Sequence, residues 1–517
     1  MSFNLATILQ ESARTQPSAP LAYINDRVIS YAELDAESNK VAAGLLATGL
    51  VHGDRVAVQL GNIPEFLLSY FGILKAGMVM VPLNPMLRPR EIAYHLADSA
   101  SAAFITADAE LDRAAMPAAE TPGAAEPQIF VVGNEVGSFR NFSELLEPVS
   151  SKIKSRSMAA TNAQDTAVII YTSGTTGKPK GAELTHFQLY MNCTVSGELV
   201  GYTPEATALA VLPLFHIFGL SSVLNAAVRF GSAVALVPRF KADTVLSVIE
   251  SHRVAIFPGV PTMFASLLHA DSSAYDLSSL RRCISGGSAM PEEVLRGFET
   301  KFPGTVILEG YGSSESASVV TFNVSESKRK TLSIGMPIWG VKVRLVDSSG
   351  SVIPTDSLHT GHDHVGELQF SGHNVMKGYF GKSSETNQAL KDGWFSTGDL
   401  GYRDTDGYYF LVDRKKDLVI RGGYNVYSRE VEEILYEHPA VAEAAVIGRP
   451  HPVLGEEVCA VISLVTGSNA TAQEIIDFAK ERLAPYKYPR EIEFLEVLPK
   501  GPSGKILKRE LRTPAPA

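Results

Sequence analysis

Cysteine is scarce. Three residues, Cys193, Cys283 and Cys459, stand far apart in 517, with no Cys-x-x-Cys pair and no histidine cluster beside them. That spacing argues against a disulfide framework or a structural zinc site, and it predicts reduced, buried thiols suited to a cytoplasm. No apolar run is long enough to cross a bilayer, so no transmembrane segment is expected. The start, Met1-Ser2-Phe3-Asn4, lacks the charged-then-apolar layout of a secretory leader, and the end, Pro-Ala-Pro-Ala, is not a peroxisomal Ser-Lys-Leu. Positive charge is not in excess either: the net charge of −10 argues against nucleic acid as a partner. The remaining composition, 45% hydrophobic and 20% charged, is that of a globular protein. The chain is too long for one core, so two or more domains are expected.

One stretch organises the rest: Tyr171-Thr172-Ser173-Gly174-Thr175-Thr176-Gly177-Lys178-Pro179-Lys180-Gly181. The apolar run Ala167–Tyr171 before it reads as a buried strand, and Thr185 after it is a candidate helix N-cap. Strand, polar loop, helix is the order of a phosphate-binding turn. Its glycines let backbone N–H groups approach an anion, four hydroxyls can each donate, and Lys178 and Lys180 add positive charge. It is not a Walker A loop, because no Gly-x-x-x-x-Gly-Lys-Ser/Thr occurs. The stretch resembles the phosphate loop of the adenylate-forming superfamily, which includes acyl-CoA and aryl-CoA synthetases, peptide-synthetase adenylation domains and luciferases.

The rest of the chain carries further stretches in the order of that family. Residues 1–165 alternate short strands and helices: a helix from Ser30 toward Leu50, a strand over 53–58, a helix over 65–76 and a strand over 78–82. Such alternation predicts a layered α/β domain. Segments 341–346, 366–371 and 407–412 predict a small β-barrel or sheet. The charge run Asp413-Arg414-Lys415-Lys416-Asp417 ends it, and beyond lie an amphipathic helix over 428–437, strands near 441–448, 457–465 and 491–498, and a helix near 471–483. The expected fold is α/β: an N-terminal domain over 1–413, built of layered subdomains and the small barrel, and a mobile α+β domain over 414–517. The turn His359-Thr360-Gly361-His362-Asp363-His364 fits no strong metal spacing and reads as a solvated loop.

The resemblance implies roles for particular residues. Thr172, Ser173, Gly174, Thr175, Thr176, Gly177 and Lys180 would hold ATP phosphates. Gly287, Glu309, Gly310 and Tyr311 would surround the adenosine, with the Tyr311 ring against the base. Ser314 and Glu315 match a Thr-Glu pair whose hydroxyl meets the α-phosphate and whose carboxylate binds Mg²⁺; Thr175 is the second metal candidate. His216 in Leu214-Phe215-His216-Ile217 would border the acyl group and α-phosphate as a neutral donor. Asp399 would take the ribose hydroxyls, Arg414 would lie near them, Lys416 would be the hinge, and Lys505 would be the catalytic lysine. Gly422 and Gly423 would line a pantetheine tunnel. Arg239 either meets a CoA phosphate or is an ordinary surface arginine.

A carboxylate is a poor electrophile, and the resemblance implies that ATP, Mg²⁺ and CoA overcome this: acyl-AMP forms, and a thiol then takes the acyl group. The acyl-pocket candidates Phe218, Gly219, Ser222, Ile284, Gly286, Gly310, Gly312, Ala317 and Val320 are small or apolar. They favour an uncharged tail, a medium- or long-chain fatty acid first and an aryl acid (cinnamate or benzoate type) second. A carrier protein is the alternative acceptor, although no carrier domain follows Lys505.

Overall fold

The computed structural model describes residues 3–110, 127–134, 136–148, 158–172, 178–354, 364–501 and 504–512. Residues Ser173–Gly177 of the phosphate loop and most of the His-rich turn lie outside this set. Two large sheets form the bulk of the molecule, one of nine strands and one of eight. Their central strands are parallel, and they are short and apolar because helices cover them. Arg55–Gln59 and Val79–Pro82 pair in register at the centre of the eight-stranded sheet. The helices Tyr31–Ala47 and Pro64–Lys75 pack against each other beside it. The Ser30 hydroxyl caps the first of these by accepting from Glu33 N at 3.1 Å.

The phosphate stretch folds differently from the expected strand–loop–helix. Thr166–Thr172 is the buried strand, but Lys180–Thr185 returns antiparallel to it, with Thr172 opposite Lys180. The described strands on either side of the loop therefore pair as a β-hairpin. Lys180-Gly-Ala-Glu-Leu-Thr alternates polar and apolar residues, which suits a strand with one face on the core. The helix His186–Val200 starts only after this second strand, capped by Thr185. The helix's positive N-terminal end thus follows the second strand and not the first.

The expected smaller β unit is a five-stranded antiparallel sheet of Val341–Val346, Gly366–Gly372, Leu390–Lys391, Trp394–Arg403 and Tyr409–Arg414. Asp399 pairs with Arg414 across it, so Arg414 ends a strand of this sheet. The last hundred residues build a separate five-stranded sheet with two main helices, Ser428–Tyr436 and Ala472–Arg482, and its own core around Val431, Val446, Val458 and Ile475. No helix among the described residues is long and apolar enough to cross a membrane.

Candidate active site

A cavity of about 980 Å³ opens where the two large sheets, the small sheet and the C-terminal segment meet. It collects Thr172 and Lys180 from the phosphate hairpin, His216, Phe218 and Ser222 from the segment after Thr207–Ala210, and Ile284, Gly286 and Gly287 from the end of Arg282–Ser285. Gly310, Tyr311, Gly312, Ser314 and Glu315 reach it from the next parallel strand. Asp399, Arg414, Lys416 and Lys505 close it from the other side.

Asp399 is the best-anchored group. It is 7% exposed, accepts from the Tyr311 hydroxyl at 2.6 Å and pairs with Arg414 Nε at 2.9 Å. Each oxygen has one partner, and a carboxylate can accept about four hydrogen bonds, so acceptor capacity remains for a ligand. Sequence reasoning assigned Tyr311 only a ring against a base; its hydroxyl is also the link that fixes Asp399.

His216 and Lys505 set the local charge. Burial, and then the nearby Lys505 ammonium, push the His216 imidazole down to about 4, so it is neutral near pH 7. Its Nδ1 accepts from Phe218 N at 3.3 Å, which leaves Nε2 to carry the hydrogen. Burial first, then the Arg414 and Lys416 charges, bring Lys505 down to about 8 against the opposing pull of Asp399 and Asp417. A site that raises the cost of holding a cation is one prepared for an anion. Glu315 sits in the one-turn helix Ser314–Ser316, whose entry is fixed by Ser316 Oγ accepting from Ser313 N at 2.8 Å. Among the described residues only one of its carboxylate oxygens, Oε1, has a hydrogen-bond partner, so Oε2 is left as one oxygen ligand of the kind Mg²⁺ takes beside substrate phosphates.

Several expected residues lie elsewhere. Glu309 does not line the cavity: its carboxylate is buried, takes the N–H groups of Met290 and Leu332, faces Arg429 and Glu433, and is pushed up to about 8 by burial. Gly219 lies in the π-helical turn Phe218–Asn225, packed so tightly on the Pro213 carbonyl that a Cβ would come within 2.4 Å. Phe218 and Ser222 of that turn face the cavity and Gly219 does not. Ala317 is fully buried in a left-handed turn, and Val320 is fully buried outside the cavity, whose lining at this point is Ser318 and Val319. Arg239 is exposed beyond the strand Ala233–Leu236, outside the cavity. Gly422 and Gly423 form an exposed hairpin turn with φ of 57° and 83°, also outside it. Ser173, Gly174, Thr175, Thr176 and Gly177 fall outside the described residues.

Other lining residues escaped sequence reasoning. Val200, Tyr202 and Ser318 line the cavity with Val319 and Phe322. The Ser222 and Ser318 hydroxyls bond each other at 2.7 Å, and the Tyr202 hydroxyl donates to the Ser222 carbonyl at 3.1 Å. These contacts join residues 96 and 20 positions apart, and no local pattern announces them.

The chain matches the AMP-binding enzyme family over residues 9–380 and the C-terminal domain of AMP-binding enzymes over 430–505. It belongs to that family. Two similar proteins are the long-chain-fatty-acid–CoA ligase of Bacillus subtilis, 36% identical over 98% of this chain and 94% of the relative, and the feruloyl-CoA synthase of an Amycolatopsis species, 36% identical over 97% and 96%. The anthranilate CoA ligase AuaEII, solved in complex with anthranoyl-AMP, superposes with a TM-score of 0.90 at 28% identity, covering 99% of this chain and 97% of that one. This AMP-binding enzyme is an acid–thiol ligase that works through an acyl-adenylate and uses ATP, Mg²⁺ and CoA.

Proposed function

We propose that this enzyme activates a medium- or long-chain fatty acid and transfers it to CoA, with Lys505, His216, Asp399 and Glu315 as the groups that handle the first step. The observation that carries the mechanism is the convergence of all four on one cavity from four distant segments. The acid's carboxylate attacks the α-phosphorus of ATP, pyrophosphate leaves, and the mixed anhydride results. Asp399, braced by Tyr311 and Arg414, holds the ribose, while Ser314 and the neutral His216 Nε2–H donate at the reacting end. Lys505 offsets the repulsion between the two anions. Mg²⁺ at Glu315 supplies charge neutralisation on the phosphate oxygens when bound. In the second half-reaction the CoA thiol attacks the acyl carbon, the carbon–oxygen bond to AMP breaks, and AMP carries the electrons away.

Lys505 lies inside the cavity and Gly422–Gly423 outside it, an arrangement that suits adenylation. We take the segment from 414 onward as the mobile domain and Lys416 as its pivot, so that thiol transfer follows a swing of that domain. Three free, buried thiols support a reducing, cytoplasmic setting.

For the acid, the support is the wall of Val200, Phe218, Ile284, Val319 and Phe322, whose serines are already bonded to each other. With burial worth about 0.8 kcal/mol per methylene, kcat/KM should rise up to about fourfold for each carbon added from butyrate toward decanoate. Pyrophosphate release across a panel of acids, with and without CoA, measures this; a flat response rejects the aliphatic reading. The Ser222–Ser318 pair favours a second reading, because two hydroxyls in one mutual bond keep one proton to donate to a hydroxyaryl acid. Ferulate or coumarate outrunning decanoate would select it.

The Lys505 ammonium gives a pH signature. The free enzyme holds the cation below about 8 and loses it above. Because adenylation needs the charged form, kcat/KM for ATP should fall about tenfold per pH unit above that point. Bound triphosphate favours the cation, so the fall in kcat comes at higher pH. Coincident profiles would assign the titration to another group.

A further inference from the structure

The strap Met376–Tyr379 connects two parts of the site that lie far apart in sequence. Gly378–Tyr379 adds as an edge strand to Lys180–Thr185, the exit strand of the phosphate hairpin, with Tyr379 opposite Ala182. Flanking bonds lock the register: Lys377 N donates to Glu183 O at 2.9 Å and Phe380 N to Gly181 O at 2.8 Å. The same strap grips Glu315 twice. Met376 N donates to the Glu315 carbonyl at 2.8 Å, and the Tyr379 hydroxyl donates to Glu315 Oε1 at 3.0 Å. The Lys180 ammonium lies over the Tyr379 ring, 5.3 Å from its centre. Tyr379, Glu315 and Lys180 all line the cavity.

We propose that Tyr379 is a positioning residue for the divalent cation: it pins Oε1 of Glu315, leaves Oε2 to the metal, and ties that carboxylate to the hairpin that carries the phosphate loop. The proposal rests on reading Glu315 as a metal ligand. A glutamate has three side-chain torsions, and on a one-turn helix nothing else among the described residues fixes its carboxylate. A phenol suits the task better than a cation would. It orients the carboxylate without neutralising it, so the full negative charge stays available to the metal. The edge strand adds a second consequence: Lys180 on the phosphate hairpin and Glu315 at the metal share one rigid support, so triphosphate and metal are presented in a fixed relation.

Tyr379→Phe removes only the hydroxyl and keeps the ring under Lys180. The full chain is titrated with Mn²⁺ by electron paramagnetic resonance in the presence of α,β-methylene-ATP, and the same nucleotide is titrated without metal by calorimetry. The expected result is Mn²⁺ binding about tenfold weaker in Tyr379→Phe, with metal-free nucleotide affinity unchanged and kcat recovered at high Mg²⁺. Wild-type Mn²⁺ affinity in this variant overturns the proposal. So does an equal loss of metal-free nucleotide binding, which would place the effect on the loop. Glu315→Gln separates the two layers: if it binds Mn²⁺ as tightly as wild type, the metal reading of Glu315 fails and the proposal with it. If it binds weakly while Tyr379→Phe binds normally, only the role of Tyr379 is lost.

Discussion

Lys505→Ala should lower acid-dependent pyrophosphate release by about 100- to 1,000-fold, the usual cost of removing one preorganised charge partner from a transition state. Thioester formation from supplied acyl-AMP should stay within a few-fold of wild type. The asymmetry follows from geometry. Lys505 lies beside Arg414 and Asp399 in the cavity, whereas the exposed Gly422–Gly423 turn, the element proposed to serve the thiol step, lies outside it. Its position is well determined despite the glycine-rich sequence around it. Gly501 N donates to Lys505 O at 2.8 Å, and Thr262 Oγ1 donates to Gly504 O at 3.2 Å across to the larger domain. Gly504 itself needs glycine: its φ is +81°, and a Cβ there would come within 2.9 Å of Val260 Cγ2. Because Lys505 is held at the cost of desolvation, alanine should not destabilise the fold, and the melting temperature should hold or rise slightly. Equal loss of both half-reactions would mean that the lysine serves the whole cycle, and the proposed domain alternation would fail.

The architecture was legible where periodicity and capping speak together. Ser30 and Thr185 cap the helices expected behind them, and the alternation over the first 165 residues became the parallel part of the eight-stranded sheet. The topology of the phosphate stretch was not legible. Its antiparallel return strand is six residues long, and a helix cap directly behind it masks the turn. Tyr311, Glu315 and Asp399, singled out by glycine-flanked polar motifs, line the cavity. Those chosen only for being small or apolar near a motif split by orientation: Phe218, Ser222 and Ile284 face the cavity, while Gly219, Ala317 and Val320 pack behind it. Gly219 sits in a π-helical turn and Ala317 in a left-handed one, where no simple period applies, and only three-dimensional packing tells which way is inward. The same limit hid Tyr202, Ser318 and Tyr379, whose partners are a backbone carbonyl, a hydroxyl and a carboxylate from other segments.

Asp399→Ala should raise the KM for ATP about 100-fold. Two charge-assisted hydrogen bonds to ribose, weakened by re-solvation of the freed hydroxyls, amount to about 3 kcal/mol, and 1.4 kcal/mol is a factor of ten. The effect on the fold should be smaller. The Arg414 side chain is 43% exposed and can return to water, but the buried Tyr311 hydroxyl loses its acceptor. That orphaned donor costs about 1–3 kcal/mol, enough to lower the melting temperature by a few degrees. A loss of affinity alone would not distinguish a ribose contact from a collapsed pocket, so the decisive comparison uses the nucleotide. Wild type should bind ATP more tightly than both 2′-deoxy-ATP and 3′-deoxy-ATP, and Asp399→Ala should bind all three alike. The interaction energy between residue and hydroxyl is then read as a double-mutant cycle, in which general damage to the pocket cancels. If Asp399→Ala keeps the wild-type preference for ATP over both deoxy analogues, Asp399 does not hold the ribose. Its bonds to Tyr311 and Arg414 would then be the whole of its role, a brace across the small sheet rather than a nucleotide contact.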